Sequence, residues 1–260
     1  MTKHRPSAAE LEHLRNTVGR VSDAVDSMLD GRAIVIADDT DGVGYLAFAG
    51  SLASDSLVAW TVRYGSGFLC AAMLPDRARA LGLPLIASMG PGIDRHYAVS
   101  VDAIEGTSTG ISAQDRARTL ALLADRHAHP DAFTRPGHLV VELVAPGGVL
   151  DRPRPGECLL DLLSIAELPL VGGLCALVSE RDSTALATGD ELREFCDTHD
   201  TALVCVGDMV TFRELTERRV VRVHAEIEWL PARSYSTGSC VPRTARSASR
   251  PASSVPGSAV

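Results

Sequence analysis

Apolar side chains recur along the chain at two spacings, and each spacing predicts a different kind of element. Where they recur every three or four residues, they predict amphipathic helices. The predicted helices cover residues 7–29, 54–64, 76–81, 112–123, 158–168, 189–199 and 208–218. Where apolar residues alternate with polar ones, or form short β-branched runs, they predict strands. The predicted strands cover residues 32–37, 45–53, 68–73, 98–102, 138–145, 174–179 and 201–206.

The order of these elements favours one fold class. Several predicted strands follow one another without a helix between them, so the pattern favours an α+β sandwich over a doubly wound sheet. Ser112 is expected to cap a helix, with Asp115 three residues on as its capping-box partner. One domain is expected over residues 5–222. Residues 223–260 are rich in Ser, Pro and Arg and hold few core-forming side chains, which predicts a disordered tail.

Composition and charge narrow the classes of partner. Apolar residues make up 45% and charged residues 22% of the chain, as in ordinary globular proteins. The net charge of −8 argues against nucleic acid or an anionic membrane as a partner. Since no apolar run could span a bilayer and the N-terminus lacks a signal-peptide core, a cytoplasmic location is expected.

Cysteine spacing gives no indication of a metal site. The six cysteines include no C-x-x-C pair, and they lie at Cys70, Cys158, Cys175, Cys196, Cys205 and Cys240. They are expected to be small buried hydrophobes rather than disulfides, and structural zinc is not expected.

An acidic cluster follows the first predicted strand. Asp38, Asp39 and Asp41 precede Gly42 and Gly44 at the carboxyl end of that strand. Carboxylates there could bind a hard cation or orient sugar hydroxyls. The same residues would also make an ordinary polar turn, and the pattern does not choose between the two interpretations.

Residues 106–112 resemble an anion cradle. Hydroxyls and glycine amides there precede a helix N-terminus, whose free N–H groups attract phosphate. An ordinary loop with Ser112 as a cap is the slightly favoured alternative. Arg152 and Arg154 could clamp a phosphate, although two arginines in a Pro-rich loop are more often solvated.

Three histidines are candidates for chemistry. His138 follows a Pro-Gly pair and could act as an acid/base group, since its pKa lies near neutrality. A structural, hydrogen-bonded histidine is the commoner case. His127 and His129 have the spacing of a metal pair but lack nearby acidic or cysteine partners, so no metal role is expected for them.

Several stretches together carry a family resemblance. They are VDAIEGTSTGISAQDRARTLALLAD (101–125), FTRPGHLVVELVAPGGVLDRP (133–153), ALVCVGDMVTFRE (202–214), IVIADDTD (34–41) and VRYGSGFLC (62–70). They resemble the 3,4-dihydroxy-2-butanone 4-phosphate synthases, lyases of riboflavin biosynthesis. Residues 226–235, EIEWLPARSY, are similar to the linker that joins this domain to GTP cyclohydrolase II in bifunctional relatives.

The resemblance implies a fold and a reaction. The family fold is an α/β/α sandwich of the α+β class that dimerises, and each active site is shared between subunits. Its members use Mg²⁺ to convert ribulose 5-phosphate to a four-carbon ketone phosphate and formate. The metal stabilises enediolate oxygens, while acidic groups and a histidine move protons.

Part of the family site is retained. The retained positions are the acidic-loop residues Asp38, Asp39 and Asp41, Cys70 of the Ser-Gly-x-x-Cys strand, Thr107, Thr109 and Ser112 of the Thr/Ser loop, the essential His138, and Arg152 at the start of the phosphate loop.

Other positions depart from the family pattern. The acidic loop of the family continues Arg-Glu-Asn-Glu-Gly-Asp, whereas this chain continues from Gly42 to Tyr45 without a carboxylate. A metal-binding His of the family falls on Pro155, the Thr beside it on Gly156, and an essential Glu on Ala176. These side chains offer no donor or acceptor.

The leading hypothesis is a neofunctionalised, metal-independent enzyme of specialised metabolism. Val43, Tyr45, Pro153 and Pro155 make the pocket less polar, which favours a less polar small-molecule substrate at the interface of a homodimer. No metal and no cofactor is expected.

The hypothesis assigns a role to each candidate residue. Predicted catalytic residues are His138, Asp41 and Cys70, the first two for acid/base work. Predicted substrate-binding residues are Asp38, Asp39, Tyr45, Thr107, Thr109, Ser112, Arg152 and Arg154.

Two alternatives stay open. In the first, the chain is a genuine synthase with Mg²⁺ and rearranged ligands. In the second, it is a pseudoenzyme that pairs with an active paralogue.

Overall fold

The structure, a computed structural model, describes residues 7–86 and 96–228, with side chains described up to residue 217. Contacts divide the chain into two units, Met1–Val220 and Val221–Val260. Most of the predicted tail, residues 223–260, lies outside the described residues.

Seven strands form one mixed sheet. They are β1 Ile34–Ala37, β2 Gly44–Ala49, β3 Cys70–Met73, β4 His96–Ala103, β5 Phe133–Leu143, β6 Val171–Ala176 and β7 Leu203–Cys205. Their order across the sheet is β4-β5-β3-β6-β2-β1-β7. The pairs β1–β7 and β3–β5 are parallel, and the other neighbours are antiparallel.

The described part of the chain also contains seven α-helices. They are α1 Ala8–Leu29, α2 Asp55–Tyr64, α3 Pro75–Ala80, α4 Ala113–Ala124, α5 Pro155–Ile165, α6 Asp190–His199 and α7 Val206–Glu228. One apolar core joins α1, α5 and the start of α7 to the sheet. A second core packs α2, α3 and α4 on other sheet residues, and a smaller one includes α6. The predicted α/β/α sandwich of the α+β class is confirmed.

Serine side chains cap three of the described helices, and the cap at Ser112 is the one that the sequence analysis predicts. Ser7, Ser54 and Ser112 each accept a hydrogen bond from a backbone N–H in the first turn that follows. Such caps satisfy N–H groups that the helix leaves free. The prediction of Asp115 as a capping-box partner is wrong, because its carboxylate binds the loop before the helix instead.

The glycines of β6 explain why this strand lies three residues before its predicted position. A Cβ at Gly173 would overlap the ring of Phe48, and one at Gly172 would lie 2.7 Å from Leu159 Cδ2. At these two positions the side chains of Phe48 and Leu159 fill the space that a Cβ would take. The β-branched pattern that predicts strands therefore misses them.

Two other elements begin earlier than predicted. The strand β5 begins at Phe133, because the residues before His138 pair with β4 rather than forming a turn. The helix α5 begins at Pro155, where proline fits the first turn without losing a hydrogen bond.

The cysteine prediction holds for the described residues. Cys70, Cys158, Cys175 and Cys196 are buried, Cys205 is partly buried, and none of the five is in a disulfide bond. Cys240 lies outside the described residues. Among the described helices, none combines the length and apolarity that crossing a bilayer requires.

Candidate active site

One edge of the sheet brings together the ends of several strands. Cys70 is level with Val140 of β5 and with Leu174 of β6. Two residues further toward one edge, β5 carries His138 and β6 carries Ala176, which pairs with Tyr45 of β2. The predicted site residues of the acidic loop and of β5 therefore lie along the same edge.

Asp102 and His138 form the best-defined polar pair at this edge. His138 Nδ1 lies 2.6 Å from Asp102 Oδ2, and the backbone N–H of His138 donates to Asp102 Oδ1 at 2.9 Å. The Asp102 side chain is 10% exposed, whereas the imidazole is 44% exposed. A buried carboxylate thus orients an imidazole whose other edge can reach solvent.

Gly110 closes the pair from one side. Its φ of +88° belongs to the left-handed region that favours glycine. A Cβ at this position would overlap Asp102 Oδ2 and lie 2.6 Å from His138 Nδ1. The loop of residues 106–112 therefore lies directly against the Asp102–His138 pair.

In the possible anion cradle of residues 106–112, the Asp115 side chain accepts the hydrogen bonds of two loop amides. Asp115 accepts hydrogen bonds from the backbone N–H groups of Ser108 and Gly110 at 3.2 and 3.0 Å, and from the Ser108 hydroxyl at 2.9 Å. The Thr107 hydroxyl binds the carbonyl of Ala103, and Ser112 caps α4. Two loop amides that could bind a phosphate are therefore already paired, which supports the capped loop that the sequence slightly favours. Substrate-binding roles for Thr107 and Ser112 stay predictions.

The three aspartates of the acidic loop have separate partners. The Asp38 side chain is fully buried and lies 3.1 Å from Arg154 Nη1. Asp39 accepts from the backbone N–H of Gly207 at 2.6 Å, at the start of α7. Asp41 accepts from the Val43 N–H at 3.0 Å and closes the turn.

Neither predicted phosphate-clamping arginine is a freely solvated side chain. The side chain of Arg154 is 22% exposed and pairs with Asp38. That of Arg152 is 11% exposed, contacts the fully buried Glu157, and donates to the Leu143 carbonyl at 2.8 Å. Burial raises the pKa of Glu157, while the hydrogen bonds from Ala145 and Arg152 act in the opposite direction.

Within one chain the structure does not bring Asp41 and His138 together. Their strands, β1 and β5, are four positions apart in the sheet. At about 4.8 Å between neighbouring strands, this corresponds to about 19 Å. Within one chain the carboxylate that contacts His138 is Asp102, and the acid/base role of Asp41 stays a prediction.

The other predicted site residues differ in accessibility. Tyr45 is 6% exposed and belongs to the apolar core between the sheet and α1, α5 and α7. Cys70 is 4% exposed at the start of β3. Thr109 is exposed in the loop against the pair. The roles of all three in binding or catalysis stay predictions.

Comparison with known proteins decides the family. A sequence profile described as 3,4-dihydroxy-2-butanone 4-phosphate synthase matches residues 22–212. The chain belongs to this family. The riboflavin biosynthesis protein RibBA of Nocardia farcinica is 44% identical over 205 residues, which are 77% of this chain and 49% of that protein. RibBA of Rhodococcus erythropolis is 43% identical over 205 residues, 77% of this chain and 48% of that protein.

Solved structures of the synthase family share the fold. A crystal structure of 3,4-dihydroxy-2-butanone 4-phosphate synthase in complex with two magnesium ions matches with a TM-score of 0.72 and 30% identity, covering 76% of this chain and 97% of that one. The Candida albicans synthase matches with a TM-score of 0.68 and 30% identity, covering 74% and 96%. The chain spans about half the length of the curated relatives it matches.

Asp102 is not among the site residues predicted from the sequence, although the residues around it carry the family resemblance. Asp102 is the last residue of the strand predicted over 98–102, directly before the turn-rich loop. An acidic residue at the end of a strand, beside a loop already singled out, was the available indication. Only the pairing of β4 with β5 shows that its partner is His138.

Proposed function

We propose that the chain is a lyase in which His138 transfers protons to and from a small hydroxylated substrate. The observation that carries this proposal is the double contact of His138 with Asp102, through the ring Nδ1 and the backbone N–H. Family membership supports the reaction class.

The geometry defines the tautomer that this role needs. A carboxylate beside Nδ1 favours the tautomer with its proton on Nδ1, which leaves the Nε2 lone pair available. Nε2 can then take a proton from a substrate carbon or hydroxyl and return it later in the reaction. Asp102 also stabilises the imidazolium that forms while the proton is held.

The first candidate reaction is conversion of ribulose 5-phosphate to 3,4-dihydroxy-2-butanone 4-phosphate and formate. It is supported by the relatives at 43 and 44% identity, which are named as riboflavin biosynthesis proteins. It is also supported by the solved synthases of the same fold. The comparisons favour this candidate over a different reaction.

Magnesium does not fit the side chains of one chain. Its ligands are oxygens, yet Asp38 is paired with Arg154, and Val43, Pro155 and Ala176 offer no side-chain oxygen. Among the described residues no three His, Cys, Asp or Glu side chains cluster as metal ligands would.

The lack of oxygen ligands at these positions supports a second candidate. In it, the chain is a neofunctionalised enzyme that acts without a metal on a less polar substrate of specialised metabolism. The specific observation in its favour is the Asp38–Arg154 ion pair, since Arg154 neutralises a carboxylate of the acidic loop.

We further propose that the functional form is a homodimer with a shared site. His138 and the acidic loop lie on one sheet edge but about 19 Å apart. A second copy packed on this edge would bring its own acidic loop to His138. Sedimentation equilibrium tests the proposal, and a monomer at micromolar concentration contradicts it.

The decisive experiment is an assay of formate release from ribulose 5-phosphate. Wild type is measured with Mg²⁺ and with EDTA, beside His138→Asn and the exposed control His127→Ala. Formate that requires both Mg²⁺ and His138 supports the first candidate. No formate at high enzyme concentration eliminates it and leaves the second candidate. If His138→Ala also keeps the biological role intact, the chain is a pseudoenzyme.

A further inference from the structure

The first turn of α4 carries two buried charged side chains that the proton-transfer step does not use. Asp115 is 2% exposed and Arg116 is 6% exposed. They are adjacent in sequence, so their side chains leave the helix in different directions. Each one binds a different loop at the candidate site.

Asp115 fixes the loop that lies against the catalytic pair. It accepts two hydrogen bonds from Ser108 and one from the backbone N–H of Gly110. Gly110 in turn has no room for a Cβ between itself and the Asp102–His138 pair. A continuous set of contacts therefore runs from Asp115 through the loop to His138.

Arg116 fixes the turn that precedes β3. Its Nη1 donates to the Gly67 carbonyl at 3.2 Å. In the same turn the backbone N–H of Ser66 donates to the Ala176 carbonyl at 2.8 Å, and its hydroxyl lies 3.7 Å from Cys175 Sγ. The turn is thus held between α4 and the end of β6.

The strand register places this turn beside His138. β3 and β5 run parallel, with Cys70 level with Val140. Extending that register by two residues puts Phe68 level with His138, on the neighbouring strand. The turn at Gly67 therefore borders the candidate site on the side opposite to β4.

The burial of Arg116 is unusual for a side chain with only a packing role. Among the described residues no carboxylate acts on the charge of Arg116, and its Nε has no hydrogen-bond partner. Burial lowers the pKa of this guanidinium. A buried cation without a counter-charge costs free energy that an apolar side chain would not.

We infer that Asp115 and Arg116 are positioning residues that hold two loops against His138 from opposite sides. Asp115 sets the loop of residues 108–110, and Arg116 sets the turn at Gly67. The inference rests on the proposed role of His138 in proton transfer. The first test of the inference does not depend on turnover, so the inference and the proposed role of His138 can fail separately.

The first test is hydrogen exchange of backbone amides in the full chain. In Asp115→Asn we expect exchange at Gly110 and His138 to rise about tenfold, because a hydrogen bond to a charged group is lost. In Arg116→Gln we expect a similar rise at Ser66. Arg15→Gln, an exposed change on α1, is expected to leave both segments unchanged. Wild-type exchange at His138 and Ser66 in the two variants would overturn the inference.

The second test separates positioning from general stability. With turnover established in wild type, both variants are expected to lose about tenfold in kcat with KM nearly unchanged. Arg116→Lys, which keeps a donor for the Gly67 carbonyl, is expected to restore part of the loss. Unchanged kcat despite raised exchange would overturn the positioning role. If Asp115→Asn does not fold, Ser108→Ala removes one of the same hydrogen bonds and replaces it in both tests.

Discussion

Asp102 accepts two hydrogen bonds from His138, one from the ring Nδ1 at 2.6 Å and one from the backbone N–H at 2.9 Å. The two contacts come from strands that are adjacent in the sheet, β4 and β5. Because both oxygens of one carboxylate bind the same residue, the imidazole has little freedom to rotate. An orientation of this kind is what a general acid/base group requires.

Replacing Asp102 by Asn should therefore impair turnover more than it impairs folding. An amide keeps the size of the side chain but cannot stabilise an imidazolium, and its NH₂ group would favour the wrong tautomer. We expect kcat to fall by about 10²-fold or more in steady-state assays, while thermal unfolding shows a folded protein. Equal kcat in Asp102→Asn and wild type would exclude an acid/base role that depends on this pair.

Replacing Gly110 by Ala should disturb the site and lower the stability. The alanine would have to adopt the left-handed backbone conformation, and its Cβ would clash with Asp102 and His138. Gly31→Ala is the matched control, since Gly31 also has a positive φ but nothing within 4 Å of a Cβ. We expect about 1 kcal/mol of destabilisation at Gly31 and more at Gly110, measured by denaturant unfolding. Equal losses at both positions would show that the contact with the pair carries no free energy.

The ion pair of Asp38 and Arg154 should contribute strongly to stability. Asp38 is fully buried, and removing Arg154 would leave its carboxylate with the Thr40 N–H as its one hydrogen-bond donor among the described residues. We expect Arg154→Met to lower the free energy of unfolding by on the order of 3 kcal/mol.

A double-mutant cycle with Asp38→Asn isolates the pair. The combined variant should be more stable than Arg154→Met alone, because it no longer buries an unpaired charge. Additive losses would mean that the two residues do not interact.

Acid should destabilise the chain partly through Asp115. Burial acts to raise the pKa of this carboxyl, but the hydrogen bonds from Ser108, Gly110 and Ser112 outweigh it and lower the pKa to about 2. A lowered folded-state pKa stabilises the folded chain above the unfolded value of 3.8, and this stabilisation disappears as the pH falls toward 2.

The measurement is the unfolding midpoint between pH 6 and pH 2. Asp115→Asn is expected to be less stable than wild type near neutrality, and the difference should shrink below about pH 4. Asp197→Asn, on the exposed surface of α6, is the charge-matched control. A gap between Asp115→Asn and wild type that stays constant from pH 6 to pH 2 would contradict this assignment.

The sequence by itself determined the positions of several helices, the cap at Ser112 and the family. Amphipathic spacing located α1 and α4 within a residue, since a helix repeats its buried face along a continuous stretch. Ser112 marks the start of α4 because capping is local. The motifs around residues 101–125 and 133–153 carried the family resemblance for the same reason: they are contiguous.

Only the tertiary structure decided which charged groups meet. The partner of His138 is Asp102, 36 residues away, because β4 and β5 pair in an irregular register that no local pattern encodes. From the sequence, the loop at residues 108–110 could bind an anion. In the folded chain, the side chain of Asp115 on α4 accepts a hydrogen bond from the Gly110 N–H. Hydrogen-bond partners of a buried site are set by strand order and helix packing, and these depend on residues far apart in the chain.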